Sequence, residues 1–223
     1  MTLSTETGGP DTDAPVDGVP RRREIRFGVA WLAALLIAGL LLGAGGALFA
    51  TRATIPGDTS AEAGFLRDMS THHGQAVAMS MIAHANSTDA GIISLSADIA
   101  LTQHGQIGTM QAWLRDWGLS PTGTEPAMSW MPNARGSLVN GLMPGMATPE
   151  QLAALREATG KDLNVQFLTL MRQHHLGGIH MAQEIVRLSD NSDVTWLAQT
   201  MVTGQQGEIN LIDDLLKKAQ AAS

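Results

Sequence analysis

Two short strings carry the side chains best able to do chemistry. Residues 69–79 read MSTHHGQAVAM and residues 171–181 read MRQHHLGGIHM. Each sets a Met, then two adjacent His, then a second Met ten residues after the first. Imidazole suits copper, zinc, iron and nickel, and a thioether favours Cu(I). The chain has 12 Met and no Cys, which removes thiolate ligands, disulfides and cysteine nucleophiles. A soft donor set without thiolates suits an oxidising compartment, so copper is the first expectation, with silver by the same softness and zinc also possible.

On a helix advancing about 100° per residue, with Met69 at zero, His72 falls near −60°, His73 near +40° and Met79 near −80°. One broad stripe thus carries Met69, His72, His73 and Met79, and its copy carries Met171, His174, His175 and Met181. His180 falls on the opposite side and should point outward; His84 and His104 are weak candidates. If each string opens a helical hairpin, the facing helices bring Gln106 and Glu208 level with the His pairs. Glu208 lies on the line Leu197–Met201–Glu208–Ile212–Leu215, inside an apolar face. A buried carboxylate needs a cation or donors, and His174 and His175 stand at the right height. The expected metal set is therefore His72, His73, His174, His175, Met69, Met171, Met79, Met181 and Glu208. The alternative is a structural or interaction bundle whose His–Glu network holds no metal.

The elements that must position these residues repeat. Displacing the sequence by 102 residues aligns Phe65 with Phe167, Met69 with Met171, Leu95 with Leu197, Gln103 with Gln205, Gly105 with Gly207 and Ile107 with Ile209, without a gap. Each copy reads as two helices joined by a polar turn: about 60–86 and 91–117 in repeat 1 (60–117), and about 162–188 and 193–220 in repeat 2 (161–220). Short turns make antiparallel hairpins, and two hairpins make an all-α four-helix bundle over 60–220. No convincing strand pattern occurs. The connection (118–160) is rich in Pro, Gly and Met; Met128, Met131, Met143 and Met146 could collect copper at the surface, but a hydrophobic flap over the bundle is the preferred reading. Near its end, Thr148 N-caps a short helix with Pro149 at N1 and Gln151 closing a capping box, and Gly160 is expected to stop it.

Ahead of the bundle, residues 1–26 form a polar tail expected to be disordered, ending in arginines at 21–23 and 26. Residues 27–50 are an uncharged apolar run, long enough to span a hydrocarbon core of roughly 30 Å. The arginines are expected to place the N-terminus in the cytoplasm and the bundle outside. An uncleaved anchor is preferred to a cleaved signal peptide because Leu48 spoils the small-residue cleavage pattern, and a lipoprotein needs a Cys. The net charge of −7 argues against a nucleic-acid partner.

The strings FLRDMSTHHGQAVAMSMIA and FLTLMRQHHLGGIHMAQEIV, the link GMATPEQLAALREATG and the segment QQGEINLIDDLL resemble domain-of-unknown-function family 305 over about residues 60–220. The resemblance implies a ferritin-like four-helix fold in a secreted or membrane-anchored bacterial protein, at the bacterial cell surface or in the periplasm; some members are regarded as periplasmic copper-binding proteins linked to metal tolerance, and most have no assigned activity. It points to the same eight Met and His residues. This chain keeps Glu208 in the second Gln-x-x-Glu-Ile motif but has Gln106 in the first, so equal binding by the two halves is an open point. A di-iron carboxylate oxidase is excluded because no Glu-x-x-His motif occurs. A hydrolytic zinc site would need an open coordination position and a base such as Glu208; with no nucleophile elbow, P-loop or dinucleotide fingerprint, a non-enzymatic protein is preferred.

Overall fold

The computed structural model describes residues 28–50, 55–132 and 138–221, with the side chains of 45–50 outside that description. The expected disordered tail over 1–26, with its arginines, lies outside the described residues. The described part is all-α: α1 (Val29–Ala50), α2 (Ala61–Asn86), α3 (Ala90–Asp116), α4 (Pro149–Glu157), α5 (Gly160–Leu188) and α6 (Ser192–Ala221). The only bridge among the described residues pairs Val139 with Leu142.

The chain divides into two compact units, 1–52 and 53–223. In the first, α1 occupies the apolar run expected to be the anchor. Among the described residues no helix is long and apolar enough to cross a membrane. The expected span, 27–50, is itself only partly described.

In the second unit the helix ends follow local chemistry. Ser60 caps α2 by accepting from Ala63 N. Asp89 caps α3 through Gly91 N and Ile92 N, and Asn191 Oδ1 accepts from Asp193 N and Val194 N at the start of α6; each such cap is worth about 1 kcal/mol. The Thr148–Gln151 capping box forms with Pro149 at N1, as its sequence predicts. Gly160 does not stop α4. That helix ends at Glu157, Ala158 and Thr159 are extended, and Gly160 opens α5.

α2 pairs with α3 and α5 with α6, and the two hairpins join mainly through α2 and α5. The repeat shows in the joints. Ser87 in the first turn bonds Asn164 at the start of α5, and Ser189 in the second turn bonds Glu62 at the start of α2; both pairs are related by the same 102-residue step. The core falls into two apolar clusters. One gathers Phe65, Leu66, Met69, Met181, Ile185 and Leu197, the other Met79, Ile99, Phe167, Leu168, Met171 and Ile212. Each fully buried side chain of this size contributes roughly 1.5–3 kcal/mol. Each cluster draws on the start of one lead helix and the end of the other, so α2 and α5 run antiparallel. Their midpoints, which carry the His pairs, lie between the clusters.

The connection folds over the bundle as a flap. Arg67 holds Asp58 and the Ser120 carbonyl, and Asp68 accepts from Met128 N at 2.7 Å and Trp130 Nε1 at 2.9 Å. Burial raises the Asp68 carboxyl above its usual range, against the pull of those two donors. Met128, Met131 and Met143 are buried in the first cluster and Met146 packs against it, which removes them as surface copper collectors.

Candidate metal centre

The four imidazoles of His72, His73, His174 and His175 are buried in the layer between the two apolar clusters. His72 and His174, one from each hairpin, face each other across the α2–α5 contact, with ring centroids 3.8 Å apart and planes tilted 33°. His73 and His175 lie 6.3 and 6.4 Å from their neighbours' rings and turn toward the partner helix of their own hairpin. His73 Nε2 donates to Gln106 Oε1 at 2.7 Å, and His175 Nε2 donates to Glu208 Oε2 at 2.5 Å. The predicted level of Gln106 and Glu208 is thus where the structure places them. The inner pair uses backbone: His72 Nε2 donates to Pro144 O and His174 Nε2 to His72 O, both at 3.0 Å.

Every one of these partners is an oxygen acceptor. In a neutral imidazole the Nε2 therefore carries the proton and Nδ1 keeps its lone pair. The Nδ1 atoms of His72, His73 and His175 are buried and meet no hydrogen-bond partner. Leaving a buried acceptor unmet costs roughly 1–3 kcal/mol each. Desolvation by burial lowers His72 to about 4 and His73 to about 3, and holds His174 well below its ordinary 6.5. For these three rings the neutral, ligand-ready form is the one present at neutral pH.

The donor set fits a soft or borderline metal, through bare imidazole nitrogens held in orientation by a bond at the other ring nitrogen. Among the described residues no three His, Asp or Glu side chains converge as a ready-made cation cage. Met69, Met79, Met171 and Met181 are all fully buried. Met69 and Met181 belong to the cluster on one side of the His layer, and Met79 and Met171 to the cluster on the other.

One sequence expectation needs correction. Glu208 is not enclosed in the apolar face; its side chain is 21% exposed. Its carboxylate meets His175 at Nε2, the nitrogen opposite the bare one, so in this geometry it orients the imidazole. The buried line on α6 runs through Met201, Gln205, Ile209 and Ile212, and Glu208 flanks it. That line also exposes an omission. Gln103 and Gln205 are 2% and 4% exposed, and neither amide oxygen nor nitrogen has a partner. Gln205 lies over Gly178, where a Cβ would stand 2.6 Å from its Oε1. The signal was available: the two glutamines coincide in the repeat register. His84, His104 and His180 are exposed, His104 and His180 as their helical positions predict.

The family described as "Domain of unknown function (DUF305)" matches residues 62–216. A solved DUF305 protein from Streptomyces coelicolor, described as a candidate secreted protein, is 41% identical, covering 74% of this chain and 96% of that one, with a TM-score of 0.68. A DUF305 fragment from Deinococcus radiodurans is 30% identical, covering 73% and 99%, with a TM-score of 0.60. CopM, solved in a Cu(II)-bound form, shares the fold at 20% identity, covering 71% and 97%, with a TM-score of 0.57. No curated protein matches the chain.

Proposed function

The chain belongs to the DUF305 family, and we propose that it is an extracytoplasmic copper-binding protein serving sequestration, tolerance or delivery. The observation that carries this reading is the set of buried, unpartnered Nδ1 atoms on His72, His73 and His175. His174 and the thioethers of Met69, Met79, Met171 and Met181 complete the donor supply, and Glu208 orients His175. Copper bound there would be held by nitrogen and sulfur in a water-poor core. CopM, a relative in fold, has been seen with Cu(II), which is a reason to try copper before zinc or silver. In this reading the four long helices of the second unit form a ferritin-like bundle. α1 anchors it to the membrane, with the N-terminus in the cytoplasm.

Anaerobic Cu(I) titration of residues 53–223, a compact unit, tests the proposal. The expected result is a Kd below about 1 µM, lost when His72, His73, His174 and His175 are all replaced by Gln. A metal-free structural network is the second reading, favoured by the oxygen partner that every Nε2 already has. It predicts a melting temperature that copper leaves unmoved.

A further inference from the structure

Resting on the reading of α1 as a membrane anchor, we propose that the outer face of the first hairpin, between α2 and α3, is a self-association surface through which two anchored copies of this chain pair.

The face differs sharply from its repeat. Between residues 69 and 114 the only Asp, Glu, Lys or Arg residues are Asp89 and Asp98, whereas the equivalent stretch 171–216 holds eight. Asp89 is engaged in capping the start of α3. In the second hairpin the outer groove between α5 and α6 is lined by Gln183, Val186, Arg187, Gln199, Val202 and Thr203. The same repeat positions of the first hairpin hold Met81, His84, Ala85, Ala97, Ala100 and Leu101. A rim that is polar in one hairpin is therefore mostly apolar in the other. Met81 and Leu101 are 56% and 75% exposed. His84 turns its Nδ1 to the Ile93 carbonyl of its own hairpin, at 3.1 Å. Gly74, Gly105 and Gly108 extend the face, and nothing lies within 4 Å of a Cβ added at any of them. The backbone there is open to close approach.

A two-fold pair sets a patch against a copy of itself. Each copy carries a net charge of −7, so two copies repel wherever acidic surface meets acidic surface. The α2–α3 face holds almost no charge and is compatible with its own image. Exposed apolar side chains on a surface depleted of charge match the buried centre of an interface. At about 1.5 Å per residue, the strips 74–85 and 93–108 run roughly 17 and 23 Å, and a width of about 20 Å for two packed helices gives roughly 400 Å² per copy. That is about half of what one partner buries in a standard soluble complex, so the face alone makes a weak pair. A shared membrane offsets the shortfall by raising the effective concentration of one copy near the other. In α1, Gly39 and Gly43 stand four residues apart with nothing within 4 Å of an added Cβ, a spacing on which apolar helices pack closely.

The test uses the full chain in lipid vesicles. The chain has no Cys, so one added cysteine is its only thiol. Met81→Cys, treated with a short bis-maleimide, is expected to give covalent dimer in a yield at least about tenfold above that of Gln183→Cys, its repeat equivalent on the second hairpin. Adding Leu101→Glu to Met81→Cys sets like charges face to face and should lower that yield at least about tenfold. Ala78→Cys, on the same exposed line of α2, serves if Met81→Cys fails to fold. Equal yields at positions 81 and 183, or a yield that Leu101→Glu leaves unmoved, would overturn the proposal. A fluorophore at position 81 that lipid-borne quenchers reach, with no covalent dimer, overturns it in favour of a face lying on the bilayer. Chain that stays in the vesicles through alkaline carbonate but does not pair overturns this inference alone; chain that carbonate strips from them overturns the anchor reading with it.

Discussion

The two hairpins begin from one repeated pattern and end as unlike partners. At repeat-equivalent positions, Gln75 of α2 and Gly177 of α5 treat the flap in opposite ways. Gln75 grips it, with Nε2 donating to Ala147 O at 2.9 Å and Oε1 accepting from Ala147 N at 2.7 Å. Gly177 yields to it: a Cβ there would lie 1.9 Å from Pro144 O. Between these contacts Gly145, at φ +75°, lies so close to α5 that its own Cβ would stand 2.2 Å from Gln173 O. This stretch of the flap therefore lies on the seam between the halves and supplies the carbonyl that His72 uses. His174 bonds His72 O, but His72 does not return that bond; it turns to Pro144. A duplicated sequence gives two equal scaffolds, and the single connection that joins them breaks the symmetry in the His layer.

Acidification should have the largest effect, because it acts on both halves at once. The folded values of His72, His73 and His174 lie below the unfolded 6.5. The unfolded chain therefore takes up protons first as pH falls. The stability tied to these rings is present above about 6.5 and drains as pH drops toward the folded values. Between pH 7 and 5 the loss is roughly 2 kcal/mol for each of His72 and His73, about 4 kcal/mol together, and His174 adds to it in the same direction. Urea unfolding at the two pH values measures it. His73→Gln and His174→Gln should each remove a similar share; a loss confined to one of them would show that the layer is not shared.

Next in size is Gly177→Ala. Its new methyl meets backbone that cannot turn aside, and the cost should be about 3 kcal/mol in denaturant unfolding. The smallest effect belongs to Gly74→Ala, also on a lead helix near its His pair, where nothing lies within 4 Å of the added Cβ. Removal of a helix-interior glycine should stabilise by about 0.5–1 kcal/mol. Equal costs for the two substitutions would break the contrast between a helix face pressed by the flap and a free one.

Much of this arrangement could be read from the sequence. The hairpins, the inward His pairs, the outward His180 and the level of Gln106 and Glu208 all follow from helical periodicity and a gapless repeat. Periodicity carries an angular error of a residue or so, which is why a helical projection puts Glu208 on the buried line that Gln205 occupies. Burial without partners, as at Gln103 and Gln205, is a three-dimensional property that a helical projection does not hold. Pro144 O was illegible for another reason. Its place against His72 depends on where a long connection crosses the bundle, and only the small residues at 145 and 177 hinted at a close approach. The expected anchor at 27–50 rests on composition alone.

The central claim is that copper enters at Nδ1 while Nε2 keeps its proton and its oxygen partner. Imidazole nitrogen NMR on the 15N-labelled protein, before and after anaerobic Cu(I) loading, reads both nitrogens of each ring. The Nδ1 signals of His72, His73 and His175 are expected to move on loading while their Nε2–H signals persist. Metal-induced shifts at Nε2 with loss of its proton, or no shift at any of the three rings, would contradict it.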